Sequence, residues 1–560
     1  MQETINTAIK DALAEMGLQP VDFVVEHPTD VSHGDYATNV ALVAAKQADT
    51  NPREFAGTLK EKLAGVIEHI ADITIAGPGF INFHLDRRYF TGVTDRILQD
   101  AQSWGRNDTW KSKLVLVEYT DPNPFKEFHI GHLFTNSVGE SIARLFTMAG
   151  ADVKRVNYQG DIGMHVAHAV WGMQNMNITT DSVFTARELG AAYARGATAY
   201  KEQPEVAEEM KRINRALYER SDPALNALYD KGRAASLAYF EEIYKLLDTT
   251  FERYFFESEA APKGKALVLA HPDVFTKSDG AYVFDGEKEG LHTRVFLNSE
   301  GLPTYEAKEL ALANMKAEVY PYDHSVISTA NEITEYFKVL LCAMSKVYPE
   351  LAAKTEHIGH GTVRLSEGKM SSRTGSVIPA VDFIDEITEA AQKKAAEAGA
   401  RGVDVDTARD VAIGAIKYAT LKSNVLQDTI FNKDQALSFE GDSGPYLQYT
   451  HARICSVLEK AATAGVVPSV SVAPEAPYAI ERIIYQFPEV VERSLTERSP
   501  HHVAGYLTEL ASAFNTFYAH ERIADATDEY APYKAAVADA VRQTLANGLW
   551  VLGIKAPERM

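Results

Sequence analysis

A short apolar run followed by a loop, a long helix and a second strand is the feature that most restricts the fold of this chain. The run KLVLVEYT, residues 113–120, is nearly continuous in apolar residues, which is typical of a strand buried on both faces of a parallel sheet. A loop with Pro122 and Pro124 follows. The segment LFTNSVGESIARLFTMAG then has apolar residues at helical spacing, with Gly150 where a helix end is expected, and VKRVNY indicates the next strand. This order predicts the opening of a doubly wound nucleotide-binding fold.

The rest of the chain indicates two further domains around this unit. Its 560 residues leave room for roughly three or four domains. Residues 1–105 indicate a small α/β domain, for which we expect a core of its own. Residues 112–400 hold the nucleotide-binding pattern, with a charged helical insertion at about 166–290, after which the βα pattern resumes. Residues 405–560 are almost wholly helical in pattern and predict a helical bundle.

Composition excludes several classes of protein. Cys342 and Cys455 are the only cysteines, which excludes a disulfide framework and a four-cysteine zinc site and fits a reducing compartment. The N-terminus has no apolar core of a secretory signal, and no apolar run approaches the ~18 residues of a membrane span. We therefore expect a cytoplasmic protein. The net charge of −21 argues weakly against nucleic-acid binding but says nothing of local basic patches.

The tetrapeptide His-Ile-Gly-His occurs twice, and its first copy, residues 129–132, follows the predicted buried strand and opens the helix. Backbone N–H groups at a helix start favour phosphate. His129 and His132 can donate to phosphate oxygens, and Gly131 allows a nucleoside to approach the backbone closely. The alternatives are an ordinary polar helix start or half of a zinc site, although no Cys or H-E-x-x-H pattern stands nearby.

The second copy, residues 357–360, precedes the strand-like GTVRL, and we expect its histidines to lie in a turn. The loop EGKMSSRTG follows, with a lysine, two hydroxyls and an arginine. Such a cationic loop suits closure over a pyrophosphate. Alone, it could equally be a solvated surface loop.

The first copy and the later KMSS together resemble the signature of class I aminoacyl-tRNA synthetases. Segments along the whole chain resemble the arginyl-tRNA synthetase family in particular: GDYATNVAL and AGPGFINFHL, VEYTDPNPFKEFHIGH, NYQGDIGMH, GPYLQYTHARICSVL, and the ending LGIKAPERM. The resemblance implies a Rossmann-like α/β catalytic domain with a parallel sheet and helical insertion. It also implies a small α/β N-terminal domain that binds the tRNA D-loop and an all-helical C-terminal anticodon-binding bundle.

The resemblance also implies an activity. ATP with Mg²⁺ activates L-arginine, and the arginyl group passes to tRNA(Arg) with release of AMP and pyrophosphate; in this family activation generally needs bound tRNA. The reaction needs no protein nucleophile, so positioning and charge stabilisation carry the catalysis. The family further implies a protein without structural zinc or membrane contact, commonly a monomer.

Family roles transfer to numbered positions of this chain. The implied catalytic residues are His129, His132, Lys369 and Lys126. The implied ATP contacts are His129, His132 and Gly131 together with Lys369, Met370, Ser371 and Ser372 of the KMSS loop, 366–376. The implied arginine ligands are Glu118, Asp121, Asn123, Tyr305 and Glu309. The implied tRNA contacts are Asp35, Tyr36, Asn39, Tyr446, Gln448, Tyr449, His451 and Arg453.

The arginine pocket departs from the family pattern at three places. The family usually has Ser or Ala in place of Asp121 and Asp in place of Glu309. It also has a glutamine near position 331, where this chain has Asn331 and Glu332. Which of Asp121, Asn331 and Glu332 completes the pocket stays open.

Structural roles remain as alternatives for several of these residues. Tyr305 could be a core aromatic, and the polar residues of 446–453 could pack within the bundle. Gly160, Asp161 and Gly163 could form a tight turn.

Other functions fit the sequence less well. A cysteinyl enzyme would need zinc thiolates and a glutamyl enzyme a cationic pocket. An inactive tRNA-binding paralogue has no reason to keep both motifs.

Overall fold

The computed structural model describes residues 1–366, 378–397 and 404–560. The chain divides into two compact units. Unit 1 consists of Met1–Trp104, Ile454–Phe487 and Leu510–Thr544, and unit 2 consists of Gly105–Arg453, Pro488–Glu509 and Leu545–Met560. No helix in the described ranges is long and apolar enough to cross a membrane.

The strands of the described residues are, in chain order, β1 (Val25–Glu26), β2 (Tyr36–Thr38), β3 (Ile70–Ala76), β4 (Phe80–Leu85), β5 (Leu114–Glu118), β6 (Asp152–Gln159), β7 (Arg253–Phe256), β8 (Thr276–Ser278), β9 (Ala281–Phe284), β10 (Arg294–Leu297), β11 (His324–Ala330), β12 (Thr355–His360), β13 (Val363–Leu365) and β14 (Thr429–Phe431).

The helices are α1 (Gln2–Glu15), α2 (Val40–Ala44), α3 (Pro52–Leu63), α4 (Arg87–Asp100), α5 (Ile130–Met148), α6 (Met164–Asn175), α7 (Ala186–Glu202), α8 (Pro204–Glu219), α9 (Pro223–Leu246), α10 (Glu257–Ala270), α11 (Tyr305–Val319), α12 (Thr334–Val347), α13 (Pro349–Lys354), α14 (Ala380–Glu397), α15 (Val405–Leu421), α16 (Lys433–Ala436), α17 (Gly444–Thr463), α18 (Glu481–Ile484), α19 (Phe487–Thr496), α20 (His501–His520) and α21 (Ala531–Val551).

Unit 2 is built on a five-stranded sheet in the order β12-β11-β5-β6-β7, and every pairing in it is parallel. The apolar run at the start of the unit forms β5, whose Val115, Leu116 and Val117 are fully buried. Helices cover both faces, as a parallel sheet requires. The predicted Rossmann-like α/β fold with its strand–loop–helix–strand opening is confirmed.

The segment 166–290 differs from the helical insertion that was expected. Helices α6 to α9 form a helical cluster with its own apolar core, but β7 then returns to the edge of the central sheet. The strand β10, where the βα pattern seemed to resume, instead joins a small antiparallel sheet with β9 and β8. Four-residue strands such as β7 are too short to show a period of two against a charged background, so the pattern missed them.

Unit 1 contains an antiparallel sheet in the order β1-β2-β4-β3, packed with α1 to α4. Gly77 and Gly79 join β3 to β4 in a turn where both have positive φ angles. The buried core of this unit comes from residues 1–105 with one exception, Tyr485, which lies beside α18. Its ring lies 5.6 Å from Tyr89 and 5.8 Å from Phe90 between centroids.

Ion pairs join the same segments of unit 1. Arg482 pairs with the buried Asp35, and the Arg87 guanidinium donates to Glu481 at 2.7 Å. Both carboxylates are almost fully buried, so removal of either arginine would leave a buried charge without its partner. The helices predicted as one bundle are also shared, since α17, α20 and α21 contribute residues to both units.

Candidate active site

The carboxyl ends of the five parallel strands share one edge of the central sheet, the usual place for a ligand in an open α/β sheet. Glu118 ends β5, Gly160 follows β6, Glu257 follows β7, Asn331 follows β11 and Gly361 follows β12. Five separate parts of the sequence therefore meet at one edge, and Glu118, implied for arginine, is among them.

The first His-Ile-Gly-His copy forms the start of α5, as predicted. His129 is the residue before the helix, and its backbone N–H donates to Nδ1 of His132 at 3.1 Å. The two rings stack with centroids 3.6 Å apart and planes inclined by 18°. A Cβ on Gly131 would lie 3.0 Å from the His129 ring, so glycine leaves that approach open.

Both imidazoles of this copy are neutral near pH 7. Burial, followed by the charge of Lys126, lowers the pKa of His129 to about 4. Burial, followed by His129, lowers the pKa of His132 well below its ordinary value. Because Nδ1 of His132 accepts a hydrogen bond, its proton sits on Nε2, which is left as a donor for a ligand.

The second copy lies in β12, and the prediction of a turn is wrong. Residues 355–360 pair in parallel with Ser325–Ala330 of β11, so the second copy lies wholly within a paired strand. His357 stacks on Phe337 with centroids 3.9 Å apart, and its Nε2 lies 2.7 Å from Thr329 Oγ1. The His357 ring is therefore packed and hydrogen-bonded within the fold.

His360 connects the second copy to the helix of the first. Its Nδ1 donates to the Gly361 carbonyl at 2.8 Å, and its Nε2 lies 3.0 Å from Oγ1 of Thr135 on α5. Burial lowers the pKa of His360, so the ring is neutral and Nε2 can accept from the hydroxyl. The second copy therefore supports α5 from the side.

Three carboxylates lie close enough to shift each other's charge: Glu118 at the end of β5, Asp121 after it, and Glu309 on α11. Glu118 is buried and accepts from the Lys316 ammonium at 3.0 Å. Asp121 has φ +45° and accepts from the Tyr158 backbone N–H at 2.8 Å. Burial, followed by the charge of Glu118, raises the pKa of Asp121 well above its ordinary value and that of Glu309 to about 8. This cluster is a strongly acidic pocket that lacks enough cations of its own.

The turn after β6 carries a second polar centre next to this pocket. Gly160 lies against Asn123, whose Oδ1 would be 2.2 Å from a Cβ at that position. The fully buried Asp161 accepts from the Ser258 backbone and hydroxyl, at 2.8 and 2.7 Å, and from Arg233 at 2.8 Å. Gly163 has φ +128° at the start of α6. These contacts hold the turn in place, in agreement with the tight-turn alternative. Gly160 of this turn packs against the Asn123 side chain.

Tyr305 is not a core aromatic. It is the first residue of α11 and 57% exposed, with the Lys308 ammonium 4.5 Å from the ring centroid. Lys308 also pairs with the buried Glu257. Lys126 lies 4.7 Å from the ring centroid of Tyr193 on α7.

The KMSS residues Lys369, Met370, Ser371 and Ser372 lie outside the described residues, but the chain on both sides of them is defined. Before the segment, the Ser366 N–H donates to Phe431 at 3.0 Å. After it, the Ile130 N–H donates to Ile378 at 3.1 Å and the Ala380 N–H to Phe128 at 2.7 Å. The chain therefore returns from the KMSS segment directly beside His129.

Most of the residues implied for tRNA are buried or hydrogen-bonded to other parts of the protein. In unit 1, Asp35 and Tyr36 are buried, and Oδ1 of Asn39 accepts from Val24 at 2.9 Å. On α17, the buried Gln448 and His451 bind the carbonyls of Lys555 at 3.0 Å and Pro557 at 2.8 Å.

Two of the α17 residues have a different setting. Tyr449 is exposed, with the Arg453 guanidinium 4.7 Å from its ring centroid. Tyr446 lies one turn before them on the same helix.

Sequence reasoning missed Glu257, Lys308, Lys316 and Arg233. Lys316 follows Glu309 by seven residues, which places both on one face of α11, and this spacing was the available signal.

Comparisons with known proteins agree along the chain. Family models match as "tRNA synthetases class I (R), catalytic domain" over residues 93–433, "DALR anticodon binding domain" over 447–560 and "Arginyl tRNA synthetase N terminal domain" over 3–85. The arginine–tRNA ligase of Limosilactobacillus reuteri is 30% identical over 100% of both chains, and that of Clostridioides difficile 29% over 99% of both. The solved Thermus thermophilus arginyl-tRNA synthetase matches with a TM-score of 0.80 and 28% identity, covering 100% of both chains.

Proposed function

Because the chain belongs to the class I arginyl-tRNA synthetase family, we propose that it activates L-arginine with ATP and transfers the arginyl group to tRNA(Arg), releasing AMP and pyrophosphate. The acidic pocket of Glu118, Asp121 and Glu309 is the observation that carries this proposal. Arginine is the amino acid whose side chain is a permanent, planar cation with a fork of donors, and carboxylates are its best partners.

The triphosphate binds at the start of α5 in this proposal. The Nε2 donor of His132 faces the phosphate oxygens at this helix start, and the neutral state of both histidines makes them donors, not counter-charges. Gly131 provides the close approach for the nucleoside. Mg²⁺ enters with ATP as its counter-ion.

The arginine side chain enters the acidic pocket, and its guanidinium supplies the positive charge that the three carboxylates lack. Asn123, held against Gly160, and the exposed ring of Tyr305 complete the walls. The family glutamine is absent; in its place Asn331 and Glu332 follow β11 at the same edge.

Activation then follows from position. The arginine carboxylate attacks the α-phosphorus in line, and pyrophosphate leaves with its developing charge met by Lys369 and the hydroxyls of Ser371 and Ser372. Lys126, one turn before the helix, supports the same phosphates. A terminal ribose hydroxyl of tRNA next attacks the carbonyl of the adenylate, and AMP leaves.

We assign residues 1–105, 112–400 and 405–560 to tRNA elbow binding, catalysis and anticodon binding. The exposed Tyr449, with Arg453 and Tyr446, carries the proposed tRNA contact on α17. Asp35, Tyr36, Gln448 and His451 act there by holding backbone in place, since their side chains are buried. A cytoplasmic monomer without structural zinc completes the proposal.

Pyrophosphate exchange with each amino acid, with and without tRNA, tests the function directly. We expect exchange with arginine and with no other amino acid, and a large stimulation by tRNA(Arg). Exchange with a different amino acid would overturn the assignment.

The acidic pocket has its own test. Glu309→Gln should weaken arginine use at least ~10-fold, equivalent to ~1.4 kcal/mol. It should also narrow the discrimination against citrulline, the uncharged analogue, because less carboxylate is then left unpaired. Glu309→Asp is the matched control, since it keeps the charge and has the usual family side chain.

A further inference from the structure

The acidic pocket contains a buried lysine that the activation reaction does not use. Lys316 lies two turns beyond Glu309 on the same face of α11, and its ammonium is 3.0 Å from Oε2 of Glu118. Both side chains are only 2% exposed. Neither the sequence motifs nor the proposed mechanism gives this lysine a role.

We propose that Lys316 is a positioning residue for arginine recognition, which fixes the Glu118 carboxylate so that Asp121 and Glu309 receive the guanidinium beside it. This inference rests on the proposed function, because it assumes that arginine occupies the acidic pocket.

Stability alone gives little reason for such a pair. A buried ion pair pays a large desolvation cost and is often no more stabilising than apolar residues of the same volume. A pair between Glu118 at the end of β5 and Lys316 on α11 does, however, hold Oε2 of that carboxylate in one orientation. Its position beside the pocket indicates a role in recognition.

The charges that face the cluster show why one resident cation matters. From β5 and its loop come Glu118 and Asp121, and from α11 come Lys308, Glu309 and Lys316. Facing groups on other elements are Glu257, which pairs with Lys308, and the phenols of Tyr158, Tyr244, Tyr322 and Tyr336. With Lys308 paired to Glu257, three carboxylates share Lys316.

The shortage of cations makes arginine binding release a proton. The pKa of Glu309 is raised to about 8 by burial and then by Glu118, so Glu309 holds a proton at neutral pH while the pocket is empty. A guanidinium favours the charged carboxylate and expels that proton. Arginine affinity should therefore rise with pH until about pH 8, and without Lys316 the rise should move to higher pH.

A double-mutant cycle separates this role from a merely structural one. Lys316→Met should raise the KM for arginine at least ~10-fold at pH 7.5 while kcat changes less than ~3-fold, since the loss is in binding. Lys316→Arg, which keeps the charge, should recover most of the KM. In a Glu118→Gln background, Lys316→Met should add less than ~3-fold, because the two residues act as one unit.

The control is Lys263→Met on α10, where the exposed lysine lies 3.5 Å from Glu318 and away from the pocket, and it should leave the arginine KM unchanged. An equal KM increase in both Glu118 backgrounds, an unchanged KM, or a loss confined to kcat would overturn the proposal. If Lys316→Met does not fold, Glu118→Gln is compared with the neutral pair Glu118→Gln/Lys316→Met. Equal arginine KM values then support the proposal and a gap of ~10-fold or more overturns it.

The two levels of inference fail separately. If the wild-type protein does not activate arginine, the proposed function is wrong, whatever the variants do. If the wild-type protein activates arginine but the substitutions at Lys316 and Glu118 have independent effects on the arginine KM, only the positioning role of Lys316 is wrong.

Discussion

The two His-Ile-Gly-His copies have the same four letters but different backbone settings. In the first copy the backbone leaves a loop and starts α5, where the His129 N–H donates to Nδ1 of His132 and the Ile130 N–H to the Ile378 carbonyl. In the second copy the backbone pairs with β11 from end to end, and its N–H and C=O groups are used by the ladder. The same side chains therefore stack on each other at a helix start in one copy and contact residues of other elements in the other.

The second copy is nevertheless connected to the first. His360 contacts Thr135 on α5, one turn beyond Gly131. The strand that carries the second copy also leads into the KMSS segment, after which the chain returns beside His129. The comparison teaches that the same four residues open a helix in one copy, where we propose the nucleotide contacts, and support that helix from a strand in the other.

The largest expected effect lies just beyond the second copy. Lys369→Ala should lower the rate of arginine activation by ~10²–10³-fold, because it removes a charge that acts on the leaving pyrophosphate. Arginine affinity should change little. Single-turnover activation assays and arginine titrations measure the two quantities, and a change confined to the arginine KM would contradict the role.

His129→Ala and His357→Ala are a matched test of the two copies. His129→Ala should lower kcat/KM for ATP by ~10²-fold, since one phosphate contact at the helix start is lost. His357→Ala should leave the ATP kinetics within a few-fold. Equal losses for both variants, measured by pyrophosphate exchange at varied ATP, would show that the division of roles is wrong.

His360→Ala should have an intermediate effect. The variant loses the contact to Thr135 but leaves the phosphate donors of α5 in place, so we expect a ~3- to 10-fold lower kcat/KM for ATP, about 1 kcal/mol. Thr135→Val removes the same contact from the other side. Each single variant and the double variant should lower kcat/KM for ATP by about the same factor. If the factor of the double variant is the product of the two single factors, the contact does not act as proposed.

A further expected effect, on stability and not on catalysis, is a pH dependence that both copies share. The pKa of His129 and of His357 is lowered to about 4, mainly by burial, so both are neutral in the folded state where an unfolded chain would bind protons. Stability should therefore fall as the pH drops from about 6.5 towards 4, by at most about 1.4 kcal/mol per pH unit for each histidine. Removing His357 should flatten the decline in thermal midpoint over this window; an unchanged slope would contradict the buried neutral state.

Much of unit 2 could be predicted because its signals are local. The continuous apolar run of β5 and the helical spacing of α5 each identify their element within a few residues. The four residues of β7 carry no such signal. The second His-Ile-Gly-His copy stands directly before Gly361, and the local sequence does not separate a turn from the end of β12. Those elements are determined by their partners across the sheet.

The candidate site was predictable in part for the same reason. His129, His132 and Gly131 lie together in a motif, while the arginine ligands were implied by resemblance at single positions. Lys316 and Glu257 act on that pocket through pairs with Glu118 and Lys308, from positions distant in sequence. Composition and spacing describe such pairs poorly, since each member alone is an ordinary charged residue in a helix or strand.

The place of Tyr485 in the core of unit 1 has a consequence for synthesis. The first 104 residues leave the ribosome before about 380 further residues are made, which takes roughly 20–75 seconds at about 5–20 residues per second. Through that interval the apolar surface around Tyr36, Tyr89 and Phe90 lacks its last ring, and Asp35 lacks the guanidinium of Arg482. The final packing of the N-terminal segment therefore waits for the synthesis of Arg482 and Tyr485.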